Sequence, residues 1–224
     1  MILHIPHSGT NTFNRNIEQF DLDYLTDWYT NELFQHKNSD RLVQKYSRFV
    51  CDVERFKDKD EPMFKVGQGI CYTKGTRDND IEVINKKDII KNIYDVWHKD
   101  LNKLVNKTLS YIPKVVLVDC HSFPNEDNYP DFCIGTTEDT PRELVNLVIN
   151  FIKNDYTARE NYPYSGAMYP NEYKGDDVLP LMIEVNKRLY LDGTSKNKDF
   201  NKVKKFINEL LDVISDYEMS LDSI

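Results

Sequence analysis

Two stretches constrain this chain's fold more than anything else in it. "KVVLVDCHS" (residues 114–122) and "VLPLMIEVN" (residues 178–186) run apolar without alternation, then stop at charge, the first at Asp119 and the second at Glu184. A strand that is apolar on both faces must be covered on both faces, which places it inside a parallel sheet between helices. The flanking segments supply the cover. Residues 84–109 carry Ile89, Ile93, Trp97, Leu101, Leu104 and Thr108 at helical spacing. Residues 140–152 read as a second helix, with Thr140 as cap, Pro141 in the first turn and Glu143 closing a capping box. Beyond residue 198, Phe200, Val203, Phe206, Leu210 and Ile214 form one face of a third.

Shorter signals complete the order. Residues 1–5 and "DFCIGT" (131–136) read as strands. So do "RFVCDVERF" (48–56) and, more briefly, "ICYT" (70–73). Residues 21–35 read as a helix capped by Asp21. Residues 57–69 and 74–82 read as loops. "NYPYSGAMYPNEYKG" (161–175), rich in Tyr, Pro and Gly, is long for a connector and suits a pocket wall or lid. Strands alternate with helices and no repeat or linker interrupts them, so the expectation is one α/β domain over residues 1–224 with a mostly parallel sheet.

Bulk properties exclude some functions. The 224 residues carry 29 Lys and Arg against 37 Asp and Glu, a formal charge of −8, which argues against a general nucleic-acid binder. No apolar stretch approaches the ~20 residues of a membrane span, and no signal-peptide pattern is visible, so a cytoplasmic protein is expected. Cys51, Cys71, Cys120 and Cys133 form no CxxC pair and read as buried free thiols.

The polar residues recur where apolar strands end: His7 and Ser8; Asp52, Glu54 and Arg55; Asp119, His121 and Ser122; Glu184, Asn186 and Arg188. In an open α/β sheet those ends share one edge, where ligands bind. Two histidines and one carboxylate with an open fourth position is a usual catalytic zinc set. His7 and His121 supply the imidazoles. Asp52 and Glu54 alternate along one strand, and the residues alone do not choose between them. Glu184, at the end of another apolar strand, suits a general base. Arg55, Arg77 and Arg188 suit a carboxylate-bearing substrate. His36 reads as solvent-facing and His4 as a core histidine. A serine or cysteine nucleophile is disfavoured, because no GxSxG elbow is present and Cys120 alternates away from Asp119 and His121.

"HIPHSG", "TDWYTNELF", "DVERF", "EPMFKVGQGICYT", "DCHSFP", "PDFCIGT", "RENYPYSGAMYPNEY" and "MIEVNKRLYLDG" follow one another from about residue 3 to residue 193. In that order they resemble the N-formylglutamate amidohydrolase family, which is similar in fold to the zinc carboxypeptidases and aspartoacylase. The resemblance implies a three-layer αβα, zinc-carboxypeptidase-like fold. It implies hydrolysis of an amide on an acidic amino acid, such as N-formyl-L-glutamate, with one zinc ion as cofactor and a small anionic substrate as partner. It supports His7 and His121 as ligands and Glu184 as base, and makes His98 a substrate or transition-state contact. Ser8, Glu54, Arg55, Arg77, Asn186 and Arg188 become substrate contacts. Two positions depart from the carboxypeptidase pattern. Thr10 stands where those enzymes carry an acidic ligand, which turns the choice of third ligand toward Asp52. Glu54 stands where the Asp-x-Asn-Arg segment has its asparagine.

Overall fold

The structure is a computed structural model, described over residues 1–57, 61–173, 175 and 177–221. Residues 58–60 and 174, parts of the loops expected at 57–69 and 161–175, lie outside the described residues. In chain order the elements begin with β1 (Ile2–Ile5), α1 (Gln19–Leu25), α2 (Thr30–Leu33) and β2 (Asp40–Val43). Next comes a long helix made of α3 (Lys86–Ile89), a π-helical turn (Ile90–Tyr94) and α4 (Asp95–Leu109). After it come β3 (Val115–Phe123), β4 (Phe132–Gly135), α5 (Arg142–Ile152), β5 (Ala158–Glu160) and β6 (Val178–Asn186). The hairpin β7 (Leu191–Asp192) and β8 (Ser195–Lys196) leads into α6 (Phe200–Leu221).

Six strands form one sheet in the order β2-β1-β3-β6-β4-β5. Every pairing is parallel except β4 with β6, so the sheet is mixed. The two constraining runs are its centre: β3 and β6 pair over their whole length, and all nine residues of each are buried. Alternation sends Val116, Val118 and Cys120 of β3 and Leu179, Leu181, Ile183 and Val185 of β6 to one face, against α2, α5 and α6. Val115, Leu117 and Val178 face Leu101 and Val105 of α4 on the other. Helices thus cover both faces, giving the three-layer α/β architecture expected. Among the described residues no helix is long and apolar enough to cross a membrane.

Local expectations fail where a side chain found a better partner. Residues 48–56 form turns rather than a strand, tied to the following loop by the Asp52 amide and the Ile70 carbonyl (2.7 Å). "ICYT" pairs with no strand either. Residues 21–35 break into α1 and α2, and Asp21 is buried, accepting from Thr76 and Asn79 instead of capping. Pro141, not Thr140, caps α5, because the Thr140 hydroxyl donates to the Pro180 carbonyl (2.7 Å). His36 is buried between Ser39 and Asp212 rather than solvent-facing. The four cysteines are buried and free, as expected.

Candidate active site

The register of the sheet assembles the site. His121 pairs with Glu184 across β3 and β6, and His4 pairs with Asp119 across β1 and β3. Asp119, His121 and Glu184 share the α4 face of the sheet and lie beyond the apolar layer that α4 covers, at the carboxyl end of the strands. His7 follows the end of β1, where the added Cβ of any residue larger than Gly9 would meet the Tyr46 carbonyl oxygen at 2.4 Å. Asp27, between α1 and α2, donates its amide to the His7 carbonyl (3.1 Å), which brings its carboxylate to the same place. His7, Asp27, Arg48, Glu54, Arg55, Asp119, His121 and Glu184 line one cavity of about 500 Å³.

Donor chemistry fixes the direction of the hydrogen bonds. An indole N–H only donates. Trp97 Nε1 lies 3.1 Å from His4 Nε2, so that nitrogen accepts and His4 Nδ1–H donates to Asp119 Oδ1 (2.8 Å). Asp119 also accepts from His121 Nε2 (2.9 Å) and, through Oδ2, from the Met168 amide (2.8 Å). Burial opposes its ionisation, but His121 and His4 hold its carboxyl well below the usual carboxylate range. His121 Nε2 faces both Asp119 and Glu54 Oε1 (3.1 Å), so the proton belongs on Nε2. His7 repeats the arrangement. Its Nε2 lies 2.9 Å from Asp52 Oδ1, and Asp52 is ionised despite full burial because Arg48 (2.9 Å), His7 and Arg55 surround it, with the Tyr72 hydroxyl donating as well.

Both imidazoles therefore turn the other nitrogen, Nδ1, toward Asp27. Asp27 Oδ2 is 3.0 Å from His121 Nδ1 and 3.8 Å from His7 Nδ1, and His7 Nδ1 is buried with no hydrogen-bond partner. A lone pair and a carboxylate in such contact need a cation between them, a proton or a metal ion. Burial alone would discharge His121, yet Glu54 and Asp119 hold its pKa well above the ordinary imidazole value, so without a metal a proton fills that place. Imidazoles that donate to carboxylates with one nitrogen and offer the other are prepared metal ligands. On the Nε2 side, Glu54 also brings an oxygen into a group with His7 and His121 whose potential ligand atoms lie within 4.8 Å of one another. An ion bound there would displace the protons that Nε2 of each ring shares with Asp52 and Asp119.

Glu184 is 8% exposed, and its Oε2 has no partner. Burial first, then the Asp27, Glu54 and Asp119 carboxylates, raise its pKa to about 8 against the pull of His121. Lys187, also buried, donates to the Tyr24 carbonyl (2.7 Å). Its pKa falls to about 8 through burial, opposed by Asp27.

Not every expected residue reaches the cavity. His98 donates Nε2–H to the Val53 carbonyl (2.8 Å), and Tyr94, one turn earlier, donates to the Arg55 carbonyl (2.7 Å). His98 thus supports the 53–55 segment from behind and does not line the cavity. Arg77 stacks over Phe20, 3.4 Å from the ring centroid. Arg188 pairs with Asp131 (2.7 Å), and buried Asn186 donates to the Pro130 carbonyl. Ser8 does not line the cavity, and neither do those four. Asp52 lies behind His7. Sequence reasoning overlooked Asp27, Arg48 and Trp97. Asp27 falls inside "TDWYTNELF", but a continuous helix at 21–35 would hide it; the signal was an acid in an apolar helical pattern.

Fold and site together define a three-layer α/β protein with a buried histidine–carboxylate cavity at the carboxyl edge of its sheet. The chain matches the N-formylglutamate amidohydrolase family over residues 1–191, and it belongs to that family. Its structure is similar to that of an N-formylglutamate amidohydrolase from Ralstonia eutropha JMP134, with a TM-score of 0.87 at 19% identity, covering 98% of this chain and 94% of that one. A gene product of Agrobacterium tumefaciens is similar at a TM-score of 0.68 and 18% identity, covering 97% and 90%. At these identities the likeness is one of fold. No curated protein matches the chain.

Proposed function

We propose that the protein is a metal-dependent amidohydrolase that cleaves the acyl amide of an acylated amino acid, with N-formyl-L-glutamate as the reference substrate. One geometric observation carries the metal: the Nδ1 atoms of His7 and His121 lie 3.8 and 3.0 Å from the buried Asp27 carboxylate, while their Nε2 atoms are engaged by other acids. His7, His121 and Asp27 would hold the ion, and zinc suits two imidazoles and one carboxylate. Asp27 replaces Asp52 as the acidic ligand, because Asp52 is committed to Arg48, Arg55 and the Nε2 side of His7. A bound zinc ion would polarise the scissile carbonyl and lower the pKa of water.

The chain's own residues do the rest. Glu184, in its ionised form, takes a proton from water on Oε2 as the water oxygen adds to the carbonyl carbon. The same carboxyl returns the proton to the amide nitrogen as the C–N bond breaks, leaving a carboxylic acid and a free amine. Arg55 lines the cavity, paired with Asp52 (3.3 Å) and Glu61 (4.0 Å), and would turn its remaining guanidinium edge to the substrate carboxylate. Tyr164, Ser165, Gly166, Ala167 and Met168 wall the cavity. Gly135 allows that wall to approach, since a Cβ there would meet the Gly166 carbonyl oxygen at 2.1 Å.

The test is release of the acid product from zinc-loaded protein, read as formate from N-formyl-L-glutamate and a panel of N-formyl amino acids. Wild type should release formate from panel members, and Glu184→Gln should not while still binding zinc. Equal rates for the two proteins would remove Glu184 from the mechanism.

A further inference from the structure

We propose that a second cavity, between the 13–15 turn and the start of the long helix, binds a free α-amino acid with an apolar side chain. The site shares no lining residue with the active-site cavity, and its ligand does not depend on the reaction proposed there.

The cavity holds about 320 Å³, at the small end of the range for small-molecule sites. One wall is a face of the long helix. Ile89 and Ile93, both buried, make an apolar row along it, and Asp88 and Asn92 make a polar row beside them. Phe13 and Arg15 stand opposite. Phe13 and Ile84, 52% and 54% exposed, leave the rim apolar. The charges select the ligand. One N–H on each terminal nitrogen of Arg15 donates to a backbone carbonyl, that of Phe49 (3.2 Å) and that of Ile84 (3.4 Å). Among the described residues no acid pairs with this guanidinium, and burial lowers its pKa with no carboxylate to offset it. Asp88 likewise accepts no hydrogen bond and has no cation within 4.0 Å among the described residues. Opposite charges thus line one cavity without meeting. A zwitterion satisfies both: its carboxylate takes Arg15, its ammonium takes Asp88, and its side chain lies on Ile89, Ile93 and Phe13. A carboxylate alone would be repelled by Asp88, and an amine alone would leave Arg15 unpaired.

Backbone strain converges on the same place. Phe13 and Asn14 have φ of 54° and 58°, a left-handed conformation that is costly for a residue as large as Phe13. The Asn11 side chain holds the Phe13 amide (2.9 Å), and the Phe13 ring stacks on Tyr46 with centroids 4.7 Å apart. Asn92 and Ile93 belong to the π-helical turn, a feature that recurs at functional sites. Ile89 and Ile93 also belong to one apolar cluster with Val50, Cys51 and Val53, which joins the floor of this cavity to the segment that presents Glu54 and Arg55.

The test titrates L-phenylalanine, L-leucine and L-methionine into the isotope-labelled full chain and follows backbone amide shifts by NMR. Phenylalanine should shift the amides of residues 13–15 and 85–93. 3-Phenylpropanoate lacks the ammonium and phenethylamine lacks the carboxylate, and each should bind at least about tenfold more weakly, the scale of one charged hydrogen bond. Arg15→Gln should cost as much, but Arg15 also ties two backbone carbonyls, so Asp88→Asn is the decisive variant. Replacing this exposed, unpartnered acid should weaken phenylalanine binding about tenfold and leave 3-phenylpropanoate bound as well or better. Either fragment binding as tightly as phenylalanine would overturn the proposal, as would an affinity unchanged in Asp88→Asn, or no shift with any of the three amino acids at millimolar concentration. Shifts confined to Asp119, His121 and Met168 would place the amino acid in the active site instead and overturn it too. So would a dimer that Ile84→Asp dissolves while no amino acid binds, since the apolar rim would then be a contact between copies.

Discussion

In the proposed metal site Asp27 would supply the acidic ligand beside the two histidines, and its removal should matter more than that of any nearby acid. Asp27→Asn should weaken zinc binding by a factor of a hundred or so, measured by competition with a chelating dye, whereas Glu54→Gln should leave it nearly unchanged. The opposite ranking would move the ion to the Nε2 side of the imidazoles. Trp97 acts through two intermediaries. Trp97→Phe removes the donor that orients His4, and hence Asp119 and His121, and should cost about tenfold in zinc affinity. The pH dependence has a definite sign. The folded-state pKa of His121 is raised, so its proton is retained at neutral pH and competes with the ion. Zinc affinity should therefore rise with pH, with proton release on binding, and affinity independent of pH would contradict a protonated His121.

At the scale of elements, the long helix does two jobs. Its apolar stripe, Trp97, Leu101 and Val105, covers the sheet. Tyr94, the last residue of the π-helical turn, and His98, one turn on, reach the backbone that presents Glu54 and Arg55. Burial lowers the His98 pKa, so the neutral ring donates through Nε2 to the Val53 carbonyl. His98→Ala should raise KM several-fold with little change in kcat, and His98→Gln, which keeps a donor, should recover part of the loss. A kcat defect with KM unchanged would return His98 to the transition state. These elements were unequally legible. β3, β6, the long helix and α6 declared themselves, because a doubly buried strand and an amphipathic helix leave patterns in residue type alone. Residues 48–56 did not, since their strand-like composition reflects burial of Phe49, Val50, Cys51 and Val53, and burial does not require a ladder. Arg77 and Arg188 were misplaced for a related reason: proximity in sequence to a polar cluster says nothing of which way a long side chain turns.

At the scale of the whole molecule, the cavity lies at the carboxyl ends of β1, β3 and β6, where three of the polar clusters fall, while the 52–55 cluster reaches it from turns. Strand order and the reversed β4 were beyond reach, because a four-residue buried strand reads the same in either direction. The sheet holds His121 and Glu184 in register, and a metal ion would join β1, the α1–α2 junction and β3 through His7, Asp27 and His121. Zinc should therefore raise Tm as well as switch on activity, since an ion bound only by the folded state stabilises it by mass action. The central claim is metal-dependent amide hydrolysis in this cavity, and its most direct test is acid release from an N-formyl amino acid by one sample in three states: as isolated, after exhaustive chelation, and after one equivalent of zinc is returned. Activity that disappears on chelation and returns with zinc is the result predicted. A chelated protein, shown by mass spectrometry to be metal-free, that still hydrolyses the amide at its original rate would contradict it.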